Sequence, residues 1–288
     1  MKVLLTGGSG LFGRAFVKVI ENKTSYDIRP IYSKNPIKSK NAVFLDITNK
    51  ENVERIIKKL QPDVIVHAAA FTNVDKCEIE KEKAYNVNVA GTKNIAMASK
   101  EINAKMVYIS TDYVFDGKKG LYKEEDGTNP INYYGLTKLG GEKAVQEICD
   151  DFVIARTSVV YGANKKNFAT WVIEELKKGK EIRIVTDQWN SPTLNIDLAE
   201  QILALIEKDE KGIYHSAGGE KINRHDFVSK MAKIFSLDEN LIIPATTKEM
   251  NWIAKRPMDS SLNVSKISKI KKPYKVRKAL HLLEKEIQ

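Results

Sequence analysis

The sequence predicts an α/β fold: a doubly wound parallel sheet followed by a smaller C-terminal α/β lobe. Three observations carry this. Strand and helix patterns alternate through the first 156 residues, the rhythm of a parallel sheet with helices on both faces. The run Asp63-Val64-Ile65-Val66-His67 is nearly all apolar, as suits a strand covered on both sides. After about residue 160 the alternation loses its regularity, which marks the second lobe.

In chain order, residues 2–5 read as a strand, the glycine-rich run Gly7-Gly8-Ser9-Gly10 as a turn, and 11–22 as a helix. Strands fit 28–32 and 42–45, and a helix over 52–60 stops at Gln61-Pro62. The strand over 63–67 precedes a helix over 84–101, a strand over 105–110, a helix over 134–149 and a strand over 152–156. Beyond these, the patterns give strands at 181–185 and 212–216 and helices at 168–178, 196–208 and 224–235. The expected division is 1–160 and 161–288, with segments near 183–215 returning to the first unit.

A chain of 288 residues holds one large domain or two modest ones at about 150 residues each. Its composition, 42% hydrophobic and 29% charged, is that of a folded globular protein rather than a disordered one. No apolar run approaches the roughly 18 residues of a membrane helix. Met1 leads almost directly into Val3-Leu4-Leu5-Thr6-Gly7, which is too short for a secretory h-region, so a cytoplasmic location is expected. Cys77 and Cys149 have neither metal nor disulfide spacing, and the four histidines are scattered, so no metal site is expected. The net charge of +10 suits anionic substrates as well as nucleic acid. The basic segment 266–278 lacks a stacking platform of aromatics, so it reads as solvated surface, and neither nucleic acid nor membrane is an expected partner.

Two motifs point to chemistry. Gly7, Gly10 and Gly13 lie between a strand and a helix, where a tight turn and a helix N-terminus suit a pyrophosphate. An ordinary βα turn is the competing reading, and the position between strand and helix argues against it. Tyr134 and Lys138 stand four apart at a helix start, on one face. An ammonium there is expected to lower the phenol's pKa from about 10, giving a proton donor that works near neutral pH. Such a pair alone is more often plain helix surface. Ser110-Thr111 at the end of the fifth strand adds a hydroxyl able to bind a carbonyl oxygen.

With these in place, the chain resembles the extended short-chain dehydrogenase/reductases and, within them, the dTDP-4-dehydrorhamnose reductase family. The resemblance runs over essentially the whole length. Its most specific segment is Ser110-Thr111-Asp112-Tyr113-Val114-Phe115-Asp116-Gly117. Further matches are residues 132–142, Arg156-Thr157-Ser158, Asp187-Gln188-Trp189-Asn190-Ser191-Pro192-Thr193 and Arg256-Pro257. It implies a Rossmann-type NAD(P)-binding unit over 1–160 and a mainly substrate-binding lobe over 161–288. It also implies reduction by NAD(P)H of the 4-keto group of a nucleotide-linked 6-deoxyhexose, best matched by dTDP-4-dehydro-L-rhamnose.

The same resemblance assigns roles. Tyr134 would donate the proton, Lys138 would hold the nicotinamide ribose and tune Tyr134, and Thr111 would orient the keto oxygen. Gly7, Gly10, Leu11, Phe12 and Gly13 would wrap the pyrophosphate. Asp46 and Ile47 would meet the adenine, although a strand-end aspartate also caps turns. Ala68, Ala69 and Ala70 would pass the cofactor closely, and Asn88 would stand near the active site or cap a helix. Thr72, Val74, Thr111, Asp112 and Arg256 would face the nucleotide sugar, Arg256 through its diphosphate. No acid follows the second strand, whereas Ser33 and Lys34 suit a 2′-phosphate, so NADPH is expected, with NADH open.

Val159 stands where the family commonly has an aromatic, and Asn190 where it has a glycine. Ala15 and Ile196 stand where some members carry glutamates for magnesium-bridged dimers, so a homodimer stays open. Two alternatives remain. One is an NADP-binding regulatory subunit resembling the methionine adenosyltransferase β subunit. The other is a different sugar-nucleotide-modifying member of the superfamily.

Overall fold

The computed structural model describes residues 1–163 and 165–287 and contains one seven-stranded parallel sheet. Its first six strands in chain order are β1 (Lys2–Thr6), β2 (Asp27–Tyr32), β3 (Val43–Phe44), β4 (Val64–His67), β5 (Lys105–Thr111) and β6 (Phe152–Thr157). The seventh is Gly212–His215. Across the sheet the order is Gly212–His215, β6, β5, β4, β1, β2, β3, and every neighbouring pair is parallel. The chain leaves β1 toward β2 and β3, then crosses to β4 on the other side. The reversal opens a crevice at the carboxyl ends of β1 and β4, where ligands of such sheets bind.

Both faces are covered, and the period of two along each strand shows how. Val3, Leu5, Val64, Val66 and Val107 enter one buried cluster, whereas Leu4, Ile65, Met106 and Tyr108 enter another. The first face is packed by α1 (Leu11–Lys23) through Phe12, Phe16, Val19 and Ile20. The second is packed by α2 (Lys50–Leu60), through Val53 and Ile57, and by the helical segments of residues 81–101 and 133–148.

Residues 74–101 depart from the single helix expected over 84–101. They form α3 (Val74–Ile79), α4 (Lys81–Tyr85), a π turn at Asn86–Ala90 and α5 (Gly91–Glu101). The wider turn carries Asn88. Its amide accepts from Phe71 N at 2.8 Å and donates to Phe71 O at 3.1 Å and to Thr137 Oγ1 at 3.0 Å. These bonds tie the segment after β4 to α6 (Tyr133–Ile148). β3 keeps only two of its four expected residues. Beyond Leu45 the Asp46 carboxylate closes a turn by accepting from Thr48 N at 3.0 Å.

The second lobe is built from short strand pairs around α7 (Phe168–Lys177). β7 (Val160–Tyr161) pairs with β10 (Thr193–Leu194), β9 (Trp189–Asn190) with Ile222–Asn223, and β8 (Ile182–Val185) with Ile242–Ala245. After α8 (Asn195–Glu207), Gly212–His215 is β11, followed by β12 (Ile222–Asn223), α9 (Arg224–Ile234) and β13 (Ile242–Ala245). Helices α10 (Ser265–Ser268) and α11 (Val276–Ile287) follow. The lobe has its own core of Tyr161, Ile173, Leu176, Ile184, Phe227 and Met231, among others. Of the segment near 183–215 expected to return to the sheet, α8 and β11 do so, α8 through Leu198, Ile202 and Leu205 against the face of α1. Ile182–Val185 instead stays with β13, because four residues of that strand find a parallel partner there. Ala15 is buried in the core and Ile196 is packed between the two clusters.

Candidate active site

The glycine-rich turn is shaped by close approach. Gly7 has φ +71°, and a Cβ on Gly13 would lie 2.3 Å from Gly7 O and 2.7 Å from Gly8 Cα. The turn closes with Gly10 N donating to Gly7 O at 2.8 Å. Helix α1 then starts at Leu11 with no side-chain cap and no acidic residue in its first turn. The amides of Leu11, Phe12 and Gly13 therefore have no intrahelical acceptor and face the crevice with the positive end of the helix. A glycine cradle with an uncapped helix start fits a dinucleotide pyrophosphate. Next to it run the half-buried Ala68, Ala69 and Ala70.

A buried hydrogen-bond chain fixes this crevice. Thr6 Oγ1 accepts from Ala68 N and Ala69 N, each at 3.1 Å, which occupies both of its lone pairs. Its proton therefore goes to His67 Nδ1 at 2.6 Å, leaving Nε2–H to donate to Thr92 Oγ1 at 3.1 Å. Thr92 in turn donates to Asn88 O at 2.8 Å. Burial, aided by the Lys138 charge, pushes His67 down to about 3, so the ring is neutral.

The proton-handling groups come from β5 and α6. Asn132 caps α6 by accepting from Gly135 N at 2.8 Å and donates to Lys255 O at 2.9 Å. This sets Tyr134 and Lys138 on the helix face toward the end of β5. Lys138 Nζ donates to Ile109 O at 2.7 Å and lies 4.0 Å from the centre of the Tyr108 ring. Burial pushes its ammonium down to about 7, against the pull of Glu142. The Tyr134 phenol is raised rather than lowered. Burial is the main cause, with the nearby Thr111 hydroxyl opposing it and the neighbouring Asp112, Cys77 and Tyr113 adding to it. The expected lowering by Lys138 is thus not what governs the ligand-free phenol, because burial outweighs it.

Thr111 Oγ1 accepts from Tyr113 N at 3.2 Å and donates to Asp112 Oδ1 at 3.1 Å. Asp112 is fully buried, and its Oδ2 accepts from Ser158 Oγ at 2.8 Å and Ser260 Oγ at 2.5 Å. Burial pushes this carboxyl up, against the three hydroxyls and the charge of Arg224. Asp112 therefore acts within the wall, as the knot joining β5, the segment after β6 and the C-terminal segment. Sequence reasoning missed both serines, and no local pattern around Ser260 announces this contact.

The remaining expected residues sit as follows. Ser33 and Lys34 are exposed just after β2. Ile47 is buried, and its carbonyl accepts from Asn94 Nδ2 at 3.0 Å. Asp46 is exposed and uses Oδ1 for its turn with Thr48. Thr72 is exposed and Val74 half-buried at the start of α3, beside the C-terminal segment. Arg256 donates to Asp75 Oδ2 and Ala254 O, each at 2.9 Å, and stacks near Trp252. It clamps the C-terminal segment onto α3 rather than presenting an unshared fork. Val159 lies in the left-handed region at φ +39°, a strained setting for a β-branched residue, immediately after Ser158.

The chain is similar to known proteins over essentially its whole length. The RmlD substrate binding domain profile matches residues 1–288. The chain is 34% identical over 278 residues to the dTDP-4-dehydrorhamnose reductase of Aggregatibacter actinomycetemcomitans, covering 92% of each protein. It superposes with a TM-score of 0.92 on the Bacillus anthracis dTDP-4-dehydrorhamnose reductase crystallised with NADP, at 33% identity and 99% coverage of each chain. A hypothetical dTDP-4-dehydrorhamnose reductase from Sulfolobus tokodaii gives a TM-score of 0.86 at 42% identity, covering 94% of each chain.

Proposed function

The chain belongs to the RmlD substrate-binding domain family, and on that footing we propose that Thr111, Tyr134 and Lys138 carry its reaction. It is an NAD(P)H-dependent oxidoreductase that reduces the 4-keto group of a nucleotide-linked 6-deoxyhexose. The substrate is dTDP-4-dehydro-L-rhamnose and the product dTDP-L-rhamnose. NADPH is the reductant, with NADH open. The observation that carries the assignment of residues is the meeting of a hydroxyl from β5 with a phenol and an ammonium from α6, beside the glycine cradle.

The cofactor, when bound, supplies the hydride that reaches the sugar C4. Gly7, Gly10, Leu11, Phe12 and Gly13 hold its pyrophosphate, Ala68, Ala69 and Ala70 line its path, Asp46 and Ile47 border its adenine, and Ser33 and Lys34 meet its 2′-phosphate. Thr111 has one proton, held by Asp112 in the ligand-free site, and a carbonyl oxygen arriving there turns it outward. Tyr134, kept protonated by its raised pKa, gives its proton to that oxygen as the new C–H bond forms. Lys138 binds the ribose and stabilises the phenolate left behind. Asn88 keeps this corner in register through Phe71 and Thr137. Residues 1–160 form mainly the cofactor unit and 161–288 mainly the substrate lobe, in a cytoplasmic enzyme for which a homodimer stays open.

The regulatory-subunit alternative is not favoured, since relatives at 33–34% identity over 92–99% of the chain are named as reductases. The test is loss of NADPH absorbance with dTDP-4-dehydro-L-rhamnose made in situ. Wild-type protein should consume NADPH, and Tyr134→Phe should turn over roughly 10²–10⁴ times more slowly with unchanged NADPH affinity. Equal turnover in the two would remove Tyr134 from the role.

A further inference from the structure

Two arginines flank Tyr113, whose phenol feels the charge of both Arg224 and Arg256. They differ in what they already hold. Arg256 is paired with Asp75 at 2.9 Å. Arg224, the first residue of α9, forms no ion pair among the described residues, and its Nε is buried without a hydrogen-bond partner. Its backbone is fixed by Arg224 N donating to Gln188 O at 3.1 Å, and its guanidinium lies 5.2 Å from the centre of the Phe168 ring. The carboxylate whose charge reaches it, Asp112, already accepts from three hydroxyls. Arg224 is half-buried, and a guanidinium whose shielded Nε has no acceptor is costly; a ligand that supplies the acceptor removes that cost.

Resting on the reductase reading, we propose that Arg224 binds the diphosphate of the nucleotide sugar, the role expected of Arg256. Its planar fork matches phosphate oxygens, and Phe168 covers one face of the plane. Its position suits the substrate's shape. Tyr113 neighbours both Arg224 and Tyr134, with the two tyrosine rings 5.9 Å apart. In the substrate, the hexose ring separates the keto carbon C4 from the phosphate-bearing carbon C1. A proton donor and a cation that share Tyr113 as a neighbour suit a ligand with a carbonyl on one side of its ring and a phosphate on the other. Neither motif nor spacing marks Arg224 in the sequence, because only the fold shows that it bonds Tyr113 and, among the described residues, no carboxylate, while Arg256 holds Asp75.

The test measures thymidine diphosphate binding by calorimetry and steady-state kinetics on Arg224→Gln and Arg224→Lys. Arg224→Gln should weaken thymidine diphosphate binding and raise KM for the nucleotide sugar by roughly 10- to 100-fold, with NADPH affinity and kcat nearly unchanged. Arg224→Lys, which keeps the charge but loses the fork, should show a several-fold loss. That variant decides the matter if the glutamine protein fails to bind NADPH and is therefore misfolded. Unaltered thymidine diphosphate binding in a folded variant overturns the proposal. So does a loss confined to kcat and its pH profile, which would mean that Arg224 acts on Asp112. Turnover by wild type with Arg224-independent nucleotide binding leaves the reductase reading intact. Arg224-dependent binding without any turnover removes that reading and keeps the site.

Discussion

Lys138 is a cation kept where its charge is disfavoured, at about 7 instead of its ordinary 10.5. Below about pH 7 the folded and unfolded chains both hold its proton. Between about 7 and 10.5 the unfolded chain holds a proton the folded chain has released, so this group makes stability rise with pH. Replacing it by Met should flatten that rise in ligand-free protein. Near neutral pH the variant should gain about 2 kcal/mol, after the orphaned Ile109 carbonyl is set against the relieved charge. Turnover should fall by roughly two orders of magnitude or more. Thermal unfolding of both proteins across that pH window checks this, and parallel curves would contradict it. The spacing of Tyr134 and Lys138 was legible because helical periodicity is local. The burial of the lysine was not, since it depends on where β5 ends. For the same reason Arg256 looked available while Asp75, 181 residues away in the chain, already held it.

At the scale of elements, the start of α1 depends on the absence of side chains. A Cβ on Gly13 would press into the backbone of Gly7 and Gly8 and push the helix from the turn. Gly13→Ala should therefore weaken NADPH binding by roughly tenfold or more while leaving kcat at saturation close to wild type. A fluorescence titration with NADPH measures it, and an unchanged dissociation constant would show that the turn yields. This turn was readable because glycine spacing records backbone geometry directly. The break between α4 and α5 was not, because Asn86-Val87-Asn88-Val89-Ala90 carries no proline or terminal cap to announce a π turn. The two-residue strands of the second lobe are too short to leave a periodic trace.

For the whole molecule, two buried histidines set the acid limit. Burial holds both His67 and His215 near 3, with the Lys138 and Arg156 charges respectively adding to it. As pH falls below 6.5 the unfolded chain takes up protons that the folded chain refuses, so stability drops until about pH 3. Each histidine should cost roughly 2 kcal/mol at pH 5. His215→Phe, which keeps a ring against Phe115, should lose correspondingly less stability on acidification, as read by denaturant titration. A slope equal to wild type would exclude His215 as a contributor. The main sheet was legible at this scale from its apolar strands, whereas the docking of the second lobe depends on contacts between residues distant in the chain, polar ones among them.

Asp112 is the clearest such contact, and it sets the order in which the protein can become active. The hydroxyls that seat its carboxylate come from positions 111, 158 and 260. A ribosome delivers the glycine cradle at residues 7–13 long before Ser260. A nascent chain can therefore acquire the pieces that grip a dinucleotide long before it owns the corner that orients Thr111. That corner is complete only once Ser260 has emerged.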